Sequence, residues 1–305
     1  MLRRLSIVAL ALAGGCLSLS AQTIEVGGSD LLQEAVGVPL SQYVRQNKLD
    51  VKIDMYGTLP ALGAMRDGKM DLAIVAAPSG QALPIPPGYE KMDFCFQVAY
   101  IVVNPDNPIT EIDRDDLVGV FGAGEETDIS RWEQLGLAGS WSLRAVLPVS
   151  SNSNEGVVLE LFKYTILGQI QLKPTVMVLN SSADVDKYIG DNPNAIAITR
   201  YVPDTEGKAL LVSIGNSAAS STPGVGDTGA TSVSFEPSPE NVYDGDYPLR
   251  LPFYVVYKTS EKVQLRELLR VLYSDDFTSS LSDNHFMPVP DTVRKRNLLE
   301  LDSAK

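Results

Sequence analysis

The chain has 305 residues, of which 44% are hydrophobic and 21% charged, and its formal net charge is −13. This composition is typical of a globular protein, and the length predicts two lobes or domains, each large enough to bury a core. So acidic a protein is a poor partner for nucleic acid or an anionic membrane surface, because phosphate groups repel it. We therefore expect no nucleic-acid partner.

The N-terminal segment, residues 1–21, has the pattern of a secretory signal peptide. Two arginines precede an apolar run over 5–13, and small residues follow up to Ala21. The run is far shorter than the roughly 20 residues that a membrane span needs. Cleavage after Ala21 predicts a periplasmic protein. A rival cleavage site before Cys16 would leave a lipidated N-terminus, and we expect membrane attachment only in that case.

The residues that could carry catalysis are few. Cys95 would be the only cysteine left after cleavage, and its place between two phenylalanines predicts a buried thiol. The only histidine, His285, stands beside Phe286 and is interpreted as a surface or packing residue. No metal-ligand spacing, glycine-rich phosphate loop or nucleophile motif occurs. We therefore expect a non-enzymatic protein without cofactor or metal.

The first third of the chain alternates β-rich runs with amphipathic stretches. The pattern predicts strands at 24–26, 51–55 and 71–76, and helices at 30–46 and 58–68. This β-α-β-α-β order indicates an α/β fold with mostly parallel sheets and helical crossovers. A longer strand pattern, 96–103, follows.

A second α/β run fills the middle of the chain. It predicts helices at 113–120, 154–166 and 183–189, and strands at 143–147, 175–179 and 195–199. The remaining predictions are a surface loop at 216–231, a strand at 251–257, helices at 260–273 and near Phe277, and a solvated basic end at 294–296.

Two strand patterns, 96–103 and 251–257, bracket the middle third and predict two hinge strands. If both cross between lobes, the first lobe combines residues 22–98 with 250–305, and the second holds 99–249. Ligands in such α/β units bind at the carboxyl ends of strands, where helices begin. The sequence thus predicts a small-solute site between the lobes of a monomer.

Motifs spread along the chain resemble those of the phosphate-binding proteins of ABC transporters. The stretches that carry the resemblance are VVNPDNPI at 102–109, PSPENVYDGDYPL at 237–249, GKMDLA at 68–73, LVGVFG at 117–122 with Trp132 after it, and PVP at 288–290. They occur in the family's order over nearly all of the chain after the leader. The resemblance implies a two-lobed periplasmic-binding-protein type II fold that closes on phosphate or a related oxyanion, with an ABC permease as partner.

The family's three ligand loops have divergent counterparts here. These are Gly28-Ser29-Asp30-Leu31, Gly57-Thr58-Leu59-Pro60 and Ser151-Asn152-Ser153-Asn154. Hydroxyl and amide groups are partly kept, whereas Pro148 and either Ala76 or Ala77 stand where the family has charged residues. The candidate ligand residues are Ser29, Asp30, Thr58, Ser151, Asn152, Ser153, Asn154 and Arg200.

Physical chemistry leaves the role of these loops open. Helix N-termini offer unpaired N–H groups that suit an anion, but the same polar residues also serve as ordinary caps. Asp30 and Glu155 would repel a phosphate dianion if they faced it, whereas Arg200, just after a strand, could supply the missing positive charge. The alternatives are a degenerate homologue acting as an envelope sensor or interaction module, and an envelope hydrolase that uses these two carboxylates.

Overall fold

The computed structural model describes residues 23–78, 80–124, 128–152, 156–213 and 233–303. Several predicted features lie outside these residues, namely the leader with Cys16, the loop at 216–231, and Ser153, Asn154 and Glu155. In the described part, no helix combines the length and apolar character needed to cross a membrane.

The first lobe is built on a sheet drawn from both ends of the chain. In spatial order its strands are β13 (Met287–Pro288), β4 (Tyr89–Val98), β12 (Arg250–Lys258), β3 (Leu72–Ala76), β1 (Ile24–Gly28) and β2 (Val51–Asp54). The β1 strand runs parallel to both of its neighbours, whereas β12 runs antiparallel to both β3 and β4.

The second lobe is built on a sheet from the middle of the chain. In spatial order its strands are β10 (Lys208–Ala209), β5 (Tyr100–Val103), β9 (Ala195–Thr199), β7 (Leu147–Ser151) and β8 (Met177–Leu179). A separate parallel pair joins β6 (Glu111–Asp113) to β11 (Leu211–Ser213). Here β7 is parallel to both neighbours, and β5 is antiparallel to both of its own.

The expectation of mostly parallel sheets is therefore corrected, because both sheets are mixed. Parallel pairs need a crossover connection, which the helices after β1, β2, β7 and β8 supply. The antiparallel pairs involve β4, β5 and β12, the strands that border the two connections between the lobes. A chain that returns from the other lobe enters the sheet in the opposite direction and needs no helical crossover.

Helices cover these sheets. In chain order they are α1 (Val38–Asn47), α2 (Thr58–Arg66), α3 (Arg114–Phe121), α4 (Val158–Phe162), α5 (Ser182–Asp191), α6 (Pro239–Asp244), α7 (Lys262–Leu272), α8 (Asp275–Asp283) and α9 (Asp291–Ser303). A 3₁₀ turn and a π turn over 30–37 lead directly into α1. In α7 the buried residues Leu265, Leu268, Leu269 and Leu272 recur at helical spacing, which places one apolar face on the core.

The two crossings between the lobes lie side by side. Ala99 separates β4 in the first sheet from β5 in the second, and its N–H donates to Leu249 O at 2.9 Å. The hydroxyl of Tyr247, a fully buried side chain, donates to Ala99 O at 2.9 Å. These bonds join the outgoing and returning segments at one point. The lobe boundaries given above stay a prediction.

Two local predictions in the second lobe were wrong. The strand expected at 143–147 is β7, which begins only at Leu147 and continues through Pro148 to Ser151. Proline is tolerated at the second position because β8 pairs with β7 only from Val149 onward, so no ladder bond to β8 is lost. The helix expected from Asn154 begins instead at Val158, as α4.

The C-terminal end also differs from its prediction. The basic run at 294–296 was expected to be a solvated end; Lys295 and Arg296 are exposed as expected, but the run lies within α9. Arg294 is mostly buried and forms ion pairs with Asp275 at 2.5 Å and Asp291 at 3.1 Å. The Asp275 contact fastens α9 to α8, whereas Asp291 lies in the same helix as Arg294. The sequence pattern missed α9 because charged residues dominate its first turns.

Candidate functional site

Three strand ends of the first sheet meet at one edge. Gly57 N–H donates to Gly28 O at 2.8 Å, and Ser29 N–H donates to Ile74 O at 2.7 Å. Gly28 has a φ of 154°, and a Cβ there would stand 2.3 Å from Ile74 O, so only glycine allows this approach. The first two predicted loops therefore lie side by side.

Thr58 opens α2 and ties it to the neighbouring strand. Its Oγ1 accepts from Ala76 N–H at 3.0 Å, which fixes the start of α2 against the end of β3. A hydroxyl that accepts one bond still has its own proton to donate. Pro60 lacks an N–H, which leaves the amides of Thr58 and Leu59 as the donors of this first turn without a partner among the described residues. Ser29 is buried and precedes the first helical turn, without a side-chain cap bond.

The second sheet contributes the third group of residues. Ser150 on β7 is in register with Ile198 on the parallel β9, so Ser151 and Arg200 follow at the same edge. Ser151 is a strand residue rather than a helix-opening residue, because α4 begins seven positions later. Its buried Oγ has no hydrogen-bond partner in the described chain. Asn152 N–H donates to Leu179 O at 2.8 Å.

A pocket of about 280 Å³ lies between the two groups of loops. Its lining comes from both lobes and from the connecting strand β4: Asp30, Leu31, Glu34, Ala35, Gln97, Gly156, Arg200, Asn284 and Phe286. Of the predicted ligand residues, the structure thus brings Asp30 and Arg200 together in one pocket. Ser29, Thr58, Ser151 and Asn152 lie at the strand ends outside this lining, and Ser153 and Asn154 lie outside the described residues.

Glu34 and Gln97 are among the lining residues of this pocket that the sequence analysis missed. Glu34 lies four residues after Asp30, and this helical spacing is a signal that could have been found. Gln97 is 4% exposed, and its Oε1 has no hydrogen-bond partner in the described part of the chain. A lone glutamine inside the otherwise apolar pattern at 96–103 was the sequence signal for it.

Side chains of the second lobe also contact the first lobe across the cleft. Arg200 Nη2 donates to Asn284 O at 3.2 Å, and the Tyr201 ring stacks on His285 with centroids 4.1 Å apart. Tyr201 Oη also donates to Asp186 Oδ2 at 2.5 Å, which orients its ring. His285 was interpreted as a surface or packing residue, and the structure places it in this stack.

Other reactive groups lie away from the pocket. Cys95 is fully buried in β4, and burial raises the pKa of its thiol well above the ordinary value, so it is a core residue as expected. In the described ranges no group of histidine, cysteine or carboxylate side chains could hold a metal ion.

Comparison with known proteins gives matches over most of the chain. A family model described as the PBP superfamily domain matches residues 18–276. The curated "Phosphate-binding protein PstS" of Pseudomonas aeruginosa is 23% identical over 290 residues, which cover 90% of this chain and 85% of the relative.

Two solved structures share the fold. One is described as a possible phosphate binding protein from Planctomyces limnophilus, with a TM-score of 0.65, 17% identity and coverage of 93% of this chain and 99% of that one. The other is an ABC-type phosphate transport receptor from Vibrio cholerae, with a TM-score of 0.58, 18% identity and coverage of 87% and 99%. These likenesses confirm the predicted two-lobed α/β fold.

Proposed function

Because the chain belongs to the PBP superfamily, we propose that it is an exported, periplasmic solute-binding protein that holds phosphate or a related oxyanion for an ABC permease. The observation that carries this proposal is the pocket that both lobes and the connecting strand line. Ligands of open α/β sheets bind at the carboxyl ends of strands, and the candidate residues gather at such ends here. The relative from Pseudomonas aeruginosa, named as phosphate-binding, supports the choice of ligand.

Arg200 is the cation that would attract the anion. It is the only lysine or arginine among the described residues that line the pocket. The hydroxyl of Thr58 and the first amides of α2 supply neutral donors at the neighbouring strand ends. Neutral donors suffice for a buried anion when enough of them converge, so the absence of further arginines does not exclude binding.

We also propose that the protein binds its solute without catalysing a reaction. Its histidine, His285, is stacked on Tyr201 rather than placed beside a nucleophile. The named relatives are a phosphate-binding protein and a transport receptor. A hydrolase that uses Asp30 would be revealed by turnover of phosphoesters or glycosides.

Isothermal titration calorimetry of the full chain, purified from the periplasm of an expressing bacterium, tests the proposal. We expect saturable binding of phosphate or sulfate, and a loss of about tenfold or more in Arg200→Gln, because one charge-assisted hydrogen bond is removed. Lys187→Gln, which removes an exposed lysine elsewhere on the second lobe, is the matched control. No binding of any oxyanion at millimolar concentration would favour the degenerate homologue without a transport ligand.

A further inference from the structure

The charges that line the interlobe pocket are poorly matched to a simple anion. Asp30 and Glu34 provide two carboxylates, against the single guanidinium of Arg200. Both carboxylates lie on the helical segment that follows β1, four residues apart and therefore on one face. Both residues are exposed to solvent, and within the described chain neither carboxylate has a hydrogen-bond or ion-pair partner from the protein. A fully ionised oxyanion near these groups would be repelled.

Gln97 independently indicates that the pocket binds a group that donates hydrogen bonds. The side chain is 4% exposed and lines the same pocket, yet its Oε1 is unpaired in the described residues. Its Nε2 lies against Gly156, where an added Cβ would come within 2.6 Å of it, so the amide is closely confined. Native proteins rarely leave a buried acceptor without a donor, and those that do so usually have an absent ligand or water.

The unpaired acceptors have the number and chemistry that a primary ammonium requires. An ammonium donates three hydrogen bonds and accepts none. The two carboxylates and the Gln97 oxygen are three acceptors, and two of them carry the complementary charge. Arg200, from the other lobe, matches an oxyanion in the same pocket.

We propose that the solute is a zwitterion that carries an oxyanion head and a primary ammonium group, such as a small aminoalkyl phosphonate or phosphate ester. This inference rests on the proposed function, because it assigns the oxyanion head to the same cleft. The ammonium binds Asp30, Glu34 and Gln97, and the head binds on the side of Arg200.

The size of the pocket agrees with an organic solute. Its volume of about 280 Å³ is slightly below the range for small-molecule sites, which begins at about 300 Å³. One water occupies about 30 Å³ of liquid. The pocket therefore has room for a tetrahedral head together with a short alkyl amine.

Calorimetric titration with three probes tests this assignment. The probes are inorganic phosphate, 2-aminoethylphosphonate, and propylphosphonate, in which a methyl group replaces the amine. We expect the aminophosphonate to bind about tenfold or more tightly than propylphosphonate, since charge-assisted bonds to the amine are absent in the latter. In the double variant Asp30→Asn with Glu34→Gln, the two phosphonates are expected to bind within about threefold of each other.

A matched control and the possible outcomes distinguish the zwitterion assignment from the proposal of oxyanion binding. Glu133→Gln removes an exposed carboxylate elsewhere on the second lobe and is expected to leave the preference unchanged. Equal binding of the two phosphonates by the unmodified protein, or a preference that survives in the double variant, overturns the zwitterion assignment while anion binding in the cleft stands. Failure of all three probes to bind overturns the zwitterion assignment and the proposed function together.

Discussion

Two adjacent serines at the end of β7 allow a direct test of the unpaired groups near the cleft. Ser150 Oγ donates to Ser151 O at 3.1 Å and lies 3.4 Å from Ile198 O. Ser151 Oγ is equally buried and has no partner in the described residues. Replacing either serine with alanine removes one oxygen from the same strand, so each variant is the matched control of the other.

The two substitutions are expected to change stability in opposite directions. Ser150→Ala loses a satisfied hydrogen bond and should cost about 1 kcal/mol. Burial of an unpaired hydroxyl is unfavourable by about 1–3 kcal/mol, and Ser151→Ala removes this cost. The substitution also leaves a small void, which offsets part of the gain in stability. A net gain of about 1 kcal/mol raises Tm by about 2–4 °C in a protein of this size.

Scanning calorimetry of the ligand-free variants measures this difference, and a second scan with saturating solute measures the effect on binding. If Ser151 donates to the solute, Ser151→Ala should gain less from the ligand than the unmodified protein, because ligand stabilisation follows RT ln(1 + [L]/Kd). A fall in ligand-free Tm for Ser151→Ala as large as that for Ser150→Ala would refute the reasoning, since it would mean that the hydroxyl is satisfied.

Three further predictions concern other parts of the molecule. Thr58→Val should lower the free energy of unfolding by about 1 kcal/mol in a urea titration, because the Ala76 N–H loses its acceptor, whereas Thr58→Ser should not. Burial and the neighbouring acids raise the pKa of Asp116 to about 6, so its native carboxyl holds its proton more tightly than in the unfolded chain and stability falls as the pH rises from about 4 to 6. Asp116→Asn should therefore raise the free energy of unfolding by about 1 kcal/mol at about pH 8 and leave it unchanged at about pH 3. The value is reduced for solvent screening, because the group is partly exposed. An equal gain at both pH values would contradict this cause. Lys173→Met should lower Tm by several degrees, because the ammonium binds two backbone carbonyls and a carboxylate; an unchanged Tm would show that these contacts contribute little.

The element order was predictable because hydrophobic periodicity is local. The strand at 195–199 has the predicted bounds, and the loops with Ser29 and Thr58 follow strands as expected. The strand pattern at 96–103 was also present, but it is divided at Ala99 between two sheets. Periodicity cannot show such a division, because both halves are buried and only their strand partners differ.

The pocket itself was only partly predictable. Asp30 and Arg200 were both selected, yet nothing in the sequence shows that residues 170 positions apart line one cavity. Gln97 was missed because its significance depends on an unpaired oxygen, which only the three-dimensional structure reveals. The third loop was aligned on the helix predicted at 154–166, whereas β7 continues to Ser151 and α4 begins only at Val158.

The position of Gln97 relates solute binding to the arrangement of the lobes. It lies two residues before Ala99, at the point where the outgoing strand leaves the first lobe beside the returning segment. Arg200 lies on the second lobe and already contacts Asn284 O on the first. A solute that pairs with both side chains makes its full set of contacts only while the lobes stand in this arrangement. Because a ligand shifts an equilibrium only by its differential affinity for the two states, binding at these two residues favours the present arrangement of the lobes over any in which they separate.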